Sequence, residues 1–147
     1  MKKQAIKAFV LLGFLLSLSA IHVYAKGNML ISKVEIPFDF SIGDKTLPAG
    51  TYSITRVTQD KIVIQLSSED GREVIRISTF GVQAKETPGI GKLIFHRYGE
   101  TYFLFQIWES DDIQGRQVSK SRTERSVERD LAKKSEKPSI VDLVQSP

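Results

Sequence analysis

The chain has 147 residues, 41% apolar and 26% charged, a composition that suits one globular domain and excludes a disordered or fibrous chain. Cysteine is absent, which excludes a disulfide scaffold, a thiolate metal site, a cysteine nucleophile and a lipid-modified cysteine. The formal charge of +4 overstates the basic character, because Lys2, Lys3 and Lys7 lie at the very start of the chain.

Residues 1–25 read as a secretory signal peptide. The lysines precede a 14-residue run, Ala8 to Ile21, of mostly Leu, Val, Phe and Ala, and Val23-Tyr24-Ala25 offers the residues a signal peptidase reads. Ala20 marks an earlier possible cut. The competing reading is an uncleaved anchor, but a bilayer span takes about 20 apolar residues, more than this run contains. The expected working chain is residues 26–147, exported to the periplasm or the cell exterior, with no transmembrane segment remaining. It carries 18 basic and 17 acidic side chains, a charge of +1, and offers no global case for nucleic-acid binding. Its charge is uneven: residues 26–115 sum to −2 and residues 116–137 to +4.

Within it, 26–119 read as a β domain and 120–147 as a C-terminal helix and short tail packed on that domain. Val34, Ile36, Phe38, Phe40 and Ile42 alternate with polar residues, the period of a strand with one buried face. Pro37 places that strand at an edge or a bulge. Gly43 to Gly50 reads as a loop. Thr51–Thr58 and Lys61–Ser67 are strand-like, and Asp70-Gly71 marks a hairpin turn that sets Leu66 against Ile75, Ile64 against Ile77 and Ile62 against Thr79. Phe80 to Gly91 reads as a longer loop. A second hairpin turns at Gly99-Glu100 and sets Tyr98 against Thr101, Arg97 against Tyr102, His96 against Phe103 and Ile94 against Phe105. Both of its faces are apolar, so it belongs in the middle of the fold. Ser121 and Glu124 form a capping-box pattern ahead of a helix from about Arg122 to Lys134. Its apolar stripe is Val127 and Leu131, expected to dock on Leu104 or Trp108. Arg122, Arg125, Arg129 and Lys133 make a basic stripe roughly opposite, at about 100° per residue, extended by Arg116 and Lys120. Ser139 to Val144 reads as a last strand. The expectation is an all-β domain, an antiparallel sandwich or small partly open barrel of about six to seven strands, with one C-terminal helix.

Three segments carry a family likeness: Val34–Tyr52 (V-E-I-P-F-D-F-S-I-G-D-K-T-L-P-A-G-T-Y), Phe95–Trp108 (F-H-R-Y-G-E-T-Y-F-L-F-Q-I-W) and Gly115–Arg125 (G-R-Q-V-S-K-S-R-T-E-R). In this order they resemble a family of small secreted proteins of unknown function, frequent in acidobacterial and related soil bacteria. The resemblance spans most of residues 26–147. It implies a bacterial, exported, single-domain β protein and brings no catalytic residue with it. Leu-Pro-Ala-Gly-Thr-Tyr also resembles a turn of prealbumin-like extracellular β-sandwich modules.

Candidate sites are few. His96 is the one histidine left once the leader is removed, and it reads as a core residue or as a lone general base. One histidine without cysteine excludes a histidine-rich metal site, and Glu109, Asp111 and Asp112 lack the spacing of a calcium loop. No metal or cofactor is expected. Arg97, Tyr98 and Tyr102 offer either an amphipathic hairpin edge, with guanidinium–ring stacking, or a surface for stacking sugars or bases. Arg122, Arg125, Arg129 and Lys133 offer either a solvated face or a patch for an anionic partner, an acidic glycan or an acidic protein face. The leading expectation is a non-enzymatic binding or structural module. The alternative is a carboxylate-dependent hydrolase or carbohydrate-active protein using Asp39, Glu100 or Glu109, which requires two acids about 5–9 Å apart in a cleft. Self-association through an edge strand, Val34–Phe40 or Ile140–Val144, is a further expectation.

Overall fold

The computed structural model describes residues 29–60, 62–134 and 137–144. The leader read at residues 1–25 lies outside the described residues. Ten strands and one helix follow in order: β1 (Met29–Ile36), β2 (Phe40–Ile42), β3 (Lys45–Leu47), β4 (Gly50–Arg56), β5 (Val63–Ser68), β6 (Val74–Gln83), β7 (Lys92–Tyr98), β8 (Thr101–Trp108), β9 (Gln114–Val118), α1 (Arg122–Lys133) and β10 (Ser139–Val144). The protein is thus mostly β, with one helix near its C-terminus.

The count exceeds the expected six to seven for three local reasons. The alternating run Val34–Ile42 is two strands rather than one, because Pro37 has no amide to donate and the ladder stops at Ile36. Its apolar side chains are buried all the same, Val34, Ile36, Phe40 and Ile42 almost completely, so the alternation reports burial across a break in pairing. The segment read as a loop after Ile42 contains β3, which pairs antiparallel with β2 across a Gly43-Asp44 turn. Finally, β9 shows no apolar alternation. Gly115 lies under the Trp108 ring so closely that a Cβ there would stand 2.6 Å from it, so at this position the strand contributes backbone rather than a side chain.

Pairing follows an open path, β1-β4-β5-β6-β9-β8, with β7 and then β10 beyond β8. β6 is the corner. Its first half pairs with β5 and its second half, Thr79–Gln83, with β9, so Phe80–Gln83 is strand and not the start of a loop. The pairs Leu66/Ile75 and Ile64/Ile77 occur as the Asp70-Gly71 turn dictates. The second edge of β8 is shared. Gln106 and Ile107 pair with β9, while Tyr102 and Phe103 pair with β2 in parallel.

In the second hairpin Tyr98/Thr101, Arg97/Tyr102 and His96/Phe103 pair as expected. Ile94 does not meet Phe105. A β-bulge intervenes and Ile94 pairs with Gln106. One extra residue flips the face of everything beyond it. Ile107 therefore joins Leu93, Phe95 and Leu104 in the main core, and His96, Tyr98, Phe103 and Phe105 are left on the other side. The main core draws on strands from both stretches of the sheet. Phe40 of β2 bridges them, its ring edge-on to Tyr52 of β4 at 5.2 Å and to Phe95 of β7 at 5.7 Å.

Candidate functional site

The side of β7–β8 away from the main core is where the helix docks. Ser121 caps α1 by accepting from the Glu124 amide at 3.0 Å, as the capping-box pattern requires. A second cap comes from the β2–β3 turn: Asp44 accepts from the Thr123 amide at 3.2 Å and from its hydroxyl at 2.8 Å. Two of the orphan amides of the first turn are thereby satisfied. These hydrogen bonds to Thr123, the side-chain one foremost, hold the Asp44 carboxyl below its ordinary value.

The Glu124 side chain departs from the capping-box expectation. It turns inward, is 4% exposed, and accepts from His96 Nδ1 at 2.8 Å and from the Tyr98 hydroxyl at 3.2 Å. His96 is also stacked on Phe105, with ring centroids 3.9 Å apart. Burial first, and the nearby Glu124 second, push the Tyr98 phenol up to about 12. Lys120 continues the network, bonded to Tyr98 and at 2.5 Å to Glu128. Burial pulls the Lys120 ammonium down, but its bonds to Glu128 and Tyr98 outweigh this and raise it. The chain His96–Glu124–Tyr98–Lys120–Glu128 therefore fastens the helix to β7. Val127 and Leu131 are partly buried and lie outside the main core that holds Leu104, and the helix makes its main strand contact with β7, where this polar network attaches it. No sequence period signals the His96–Glu124 contact, since 28 residues separate the partners.

The stacking surface read at Arg97, Tyr98 and Tyr102 divides. Tyr98 is buried, 3% exposed, because the helix covers it. Phe38 stacks on the Tyr102 ring at 3.9 Å, and the Arg97 guanidinium lies over the same ring at 5.5 Å. Arg97 also donates to Gly99 O at 2.7 Å and to Glu100 at 2.8 Å. Arg97 and Tyr102 thus partner each other together with Glu100 and Phe38, whereas Tyr98 belongs to the attachment of the helix.

The basic stripe is where the helical period puts it. Arg122, Arg125, Arg129 and Lys133 are all exposed. Arg122, Arg125 and Arg129, with Glu128, line a surface concavity of about 410 Å³. Arg125 Nη1 donates to Lys120 O at 2.8 Å, and Arg129 Nε to Arg125 O at 3.2 Å, which orients both guanidinium groups. Among the described residues none of the three arginines has an acid in ion-pair contact, whereas Lys133 pairs with Asp130 at 3.0 Å. Lys120 and Arg116 do not extend the patch. Lys120 serves Glu128, and Arg116 of β9 donates to the Thr79 hydroxyl and carbonyl, both at 2.9 Å.

The three acids weighed for hydrolysis are engaged separately. Asp39 accepts from the Ala49 amide at 2.8 Å, and in the same turn Tyr52 donates to Pro48 O at 2.7 Å, so the Leu-Pro-Ala-Gly-Thr-Tyr string is a structural lock. Glu100 pairs with Arg97, and Glu109 with Arg56. Glu100 and Glu109 flank the two ends of β8, roughly 25 Å apart for an eight-residue strand. Among the described residues no three acidic or histidine side chains gather as a metal site would require, and no helix is long and apolar enough to cross a membrane. Comparison with protein-family models, with curated proteins and with solved structures gives no match for this chain.

Proposed function

We propose that this chain is an exported, non-enzymatic binding module that holds an anionic partner on the outer face of α1. The observation that carries the reading is the arginine-lined concavity: three guanidinium groups, two oriented by backbone carbonyls, none in ion-pair contact with an acid among the described residues, while the Glu128 carboxylate on the same rim is paired with Lys120. Arginine presents a planar fork that matches carboxylate, sulfate and phosphate groups. The inner face of the same helix is fixed by Glu124, so the patch is presented on a rigid support. Periplasmic or extracellular residence rests on the leader-like residues 1–25, and kinship with small secreted bacterial proteins rests on the three segments quoted above. The curled, open sheet is read as a partly open barrel, since both stretches share one core and β1 is left at the end of the path. The partner class favoured is an acidic glycan or an acidic protein face, because a two-residue apolar stripe gives a membrane surface little to hold.

The test titrates the chain lacking residues 1–25 with polygalacturonate and dextran sulfate, with and without Arg125→Glu/Arg129→Glu. Binding that weakens with salt and falls at least tenfold in the double variant supports the reading. Absence of binding to either polyanion, or binding that the double variant leaves unchanged, overturns it.

A further inference from the structure

A cleft of about 850 Å³ runs along β1, and it shares no lining residue with the arginine patch. Five consecutive β1 residues, Ile31 to Glu35, form one bank, and Ile90, Asp111 and Val144 stand on the other. β1 pairs with β4 on one side only and ends the strand path, so its second row of amide and carbonyl groups has no strand partner among the described residues. Such an edge is a template for another extended chain.

Three observations say what would occupy it. First, the Ser32 hydroxyl borders the cleft, is buried, and has no hydrogen-bond partner among the described residues. Buried hydroxyls are normally satisfied, and an unsatisfied one beside an empty strand position marks a place where a donor or acceptor belongs. Secondly, two of the lining residues are apolar and exposed: Ile90 and Val144 are 59% and 61% exposed. Thirdly, the charge is one-sided. Lys33 is already paired with Glu69, whereas Glu35 and Asp111 are exposed and have no ion pair among the described residues.

We propose that this cleft docks one extended peptide segment of another protein, added as a strand on the free edge of β1 and carrying a basic side chain against Glu35 and Asp111. A second copy of this chain fits less well. Its own β1 would bring β4 along on the far side, where Ile90 and Val144 already stand, whereas a lone segment has no such neighbour. Main-chain hydrogen bonds to β1 would supply affinity, and alternate side chains would meet Ile31, Val34 and Val144 on one face and the acids on the other. This inference is independent of the arginine face.

The experiment measures fluorescence anisotropy of labelled seven-residue peptides that alternate valine with threonine, one threonine at a time replaced by lysine, against the chain lacking residues 1–25. The expected result is saturable binding for at least one lysine position. It should weaken at least tenfold when alternate peptide amides are N-methylated on the pairing edge, and at least tenfold in Glu35→Lys. Val144→Lys, on the opposite bank, should weaken it as well, which guards against a folding defect peculiar to one variant, and Arg125→Glu/Arg129→Glu should leave it unchanged. No saturable binding, binding indifferent to N-methylation, or self-association that fills the cleft and excludes the peptides would each overturn the proposal.

Discussion

The two faces of the β7–β8 hairpin are buried by different means. Toward the main core, Leu93, Phe95, Leu104 and Ile107 are covered by other apolar side chains, and their stability comes from area removed from water, about 1.5–3 kcal/mol for each large side chain. Toward the helix, His96 and Tyr98 are covered by α1, whose attachment is a buried carboxyl group bonded to both. Apolar burial is non-directional and tolerates small shifts. The polar face fixes one position of the helix, because moving Glu124 leaves His96 and the Tyr98 hydroxyl without their acceptor. The same helix must present its arginines outward, and the Glu124 attachment sets which way they point.

Substitutions on the two faces should therefore differ in size and in kind. The largest effect is expected on the core side: Phe95→Ala removes a ring that touches Phe38 and Phe40 and should cost about 3–5 kcal/mol, read as a fall in the urea midpoint. On the helix side, Glu124→Ala should cost about 1–3 kcal/mol, because the His96 ring and the Tyr98 hydroxyl lose their acceptor. The apolar set His96→Phe/Tyr98→Phe/Glu124→Leu should recover most of that loss, since removing every partner of the contact is cheaper than removing one. If Glu124→Ala costs as much as Phe95→Ala, the contrast drawn between the faces is wrong.

Smaller effects sharpen the comparison through pH. The folded state holds the Tyr98 proton up to about pH 12, against an ordinary value of 10.0, so its contribution to stability is complete below pH 10 and is lost as pH rises through 12. Lys120, also raised, acts in the same direction. Tyr98→Phe should make the alkaline limb of a stability–pH curve shallower, whereas a core substitution should shift the whole curve down with its shape kept. The smallest effect is expected at Asp44. Its carboxyl is held below its ordinary value of 3.8, so the stabilisation is present above that value and fades as pH falls through the lower folded one. Asp44→Ala should flatten the acid limb slightly and speed amide exchange at Thr123, with no change at the far end of α1.

Much of the scaffold was legible before any coordinates, and the reasons are local. The turn at Asp70-Gly71 sets the β5–β6 register, with Gly71 N donating to Ser68 O and Ser68 N to Glu73 O at the mouth of the loop. Gly99-Glu100 does the same for the first three pairs of β7–β8, as far as the bulge. Ser121 and the 3.6-residue period place α1 and its basic stripe. What escaped was also local in cause. β9 hides because Gly115 leaves room for Trp108 instead of contributing an apolar side chain, and the bulge before Ile107 hides because alternation alone does not reveal an inserted residue.

The sequence by itself determined the strand-rich character, the two hairpin turns, the helix with its cap, and the outward set of Arg122, Arg125, Arg129 and Lys133. Turn chemistry and side-chain period act over a few residues and need no distant partner. Only the tertiary structure decided that Glu124 would leave its own helix cap for His96 and Tyr98, that Asp44 would cap α1 from a turn 79 residues away, and that β1 would stand at the end of the strand path among the described residues. Each of these depends on which segments meet when the apolar core closes, and separation along the chain carries no trace of it.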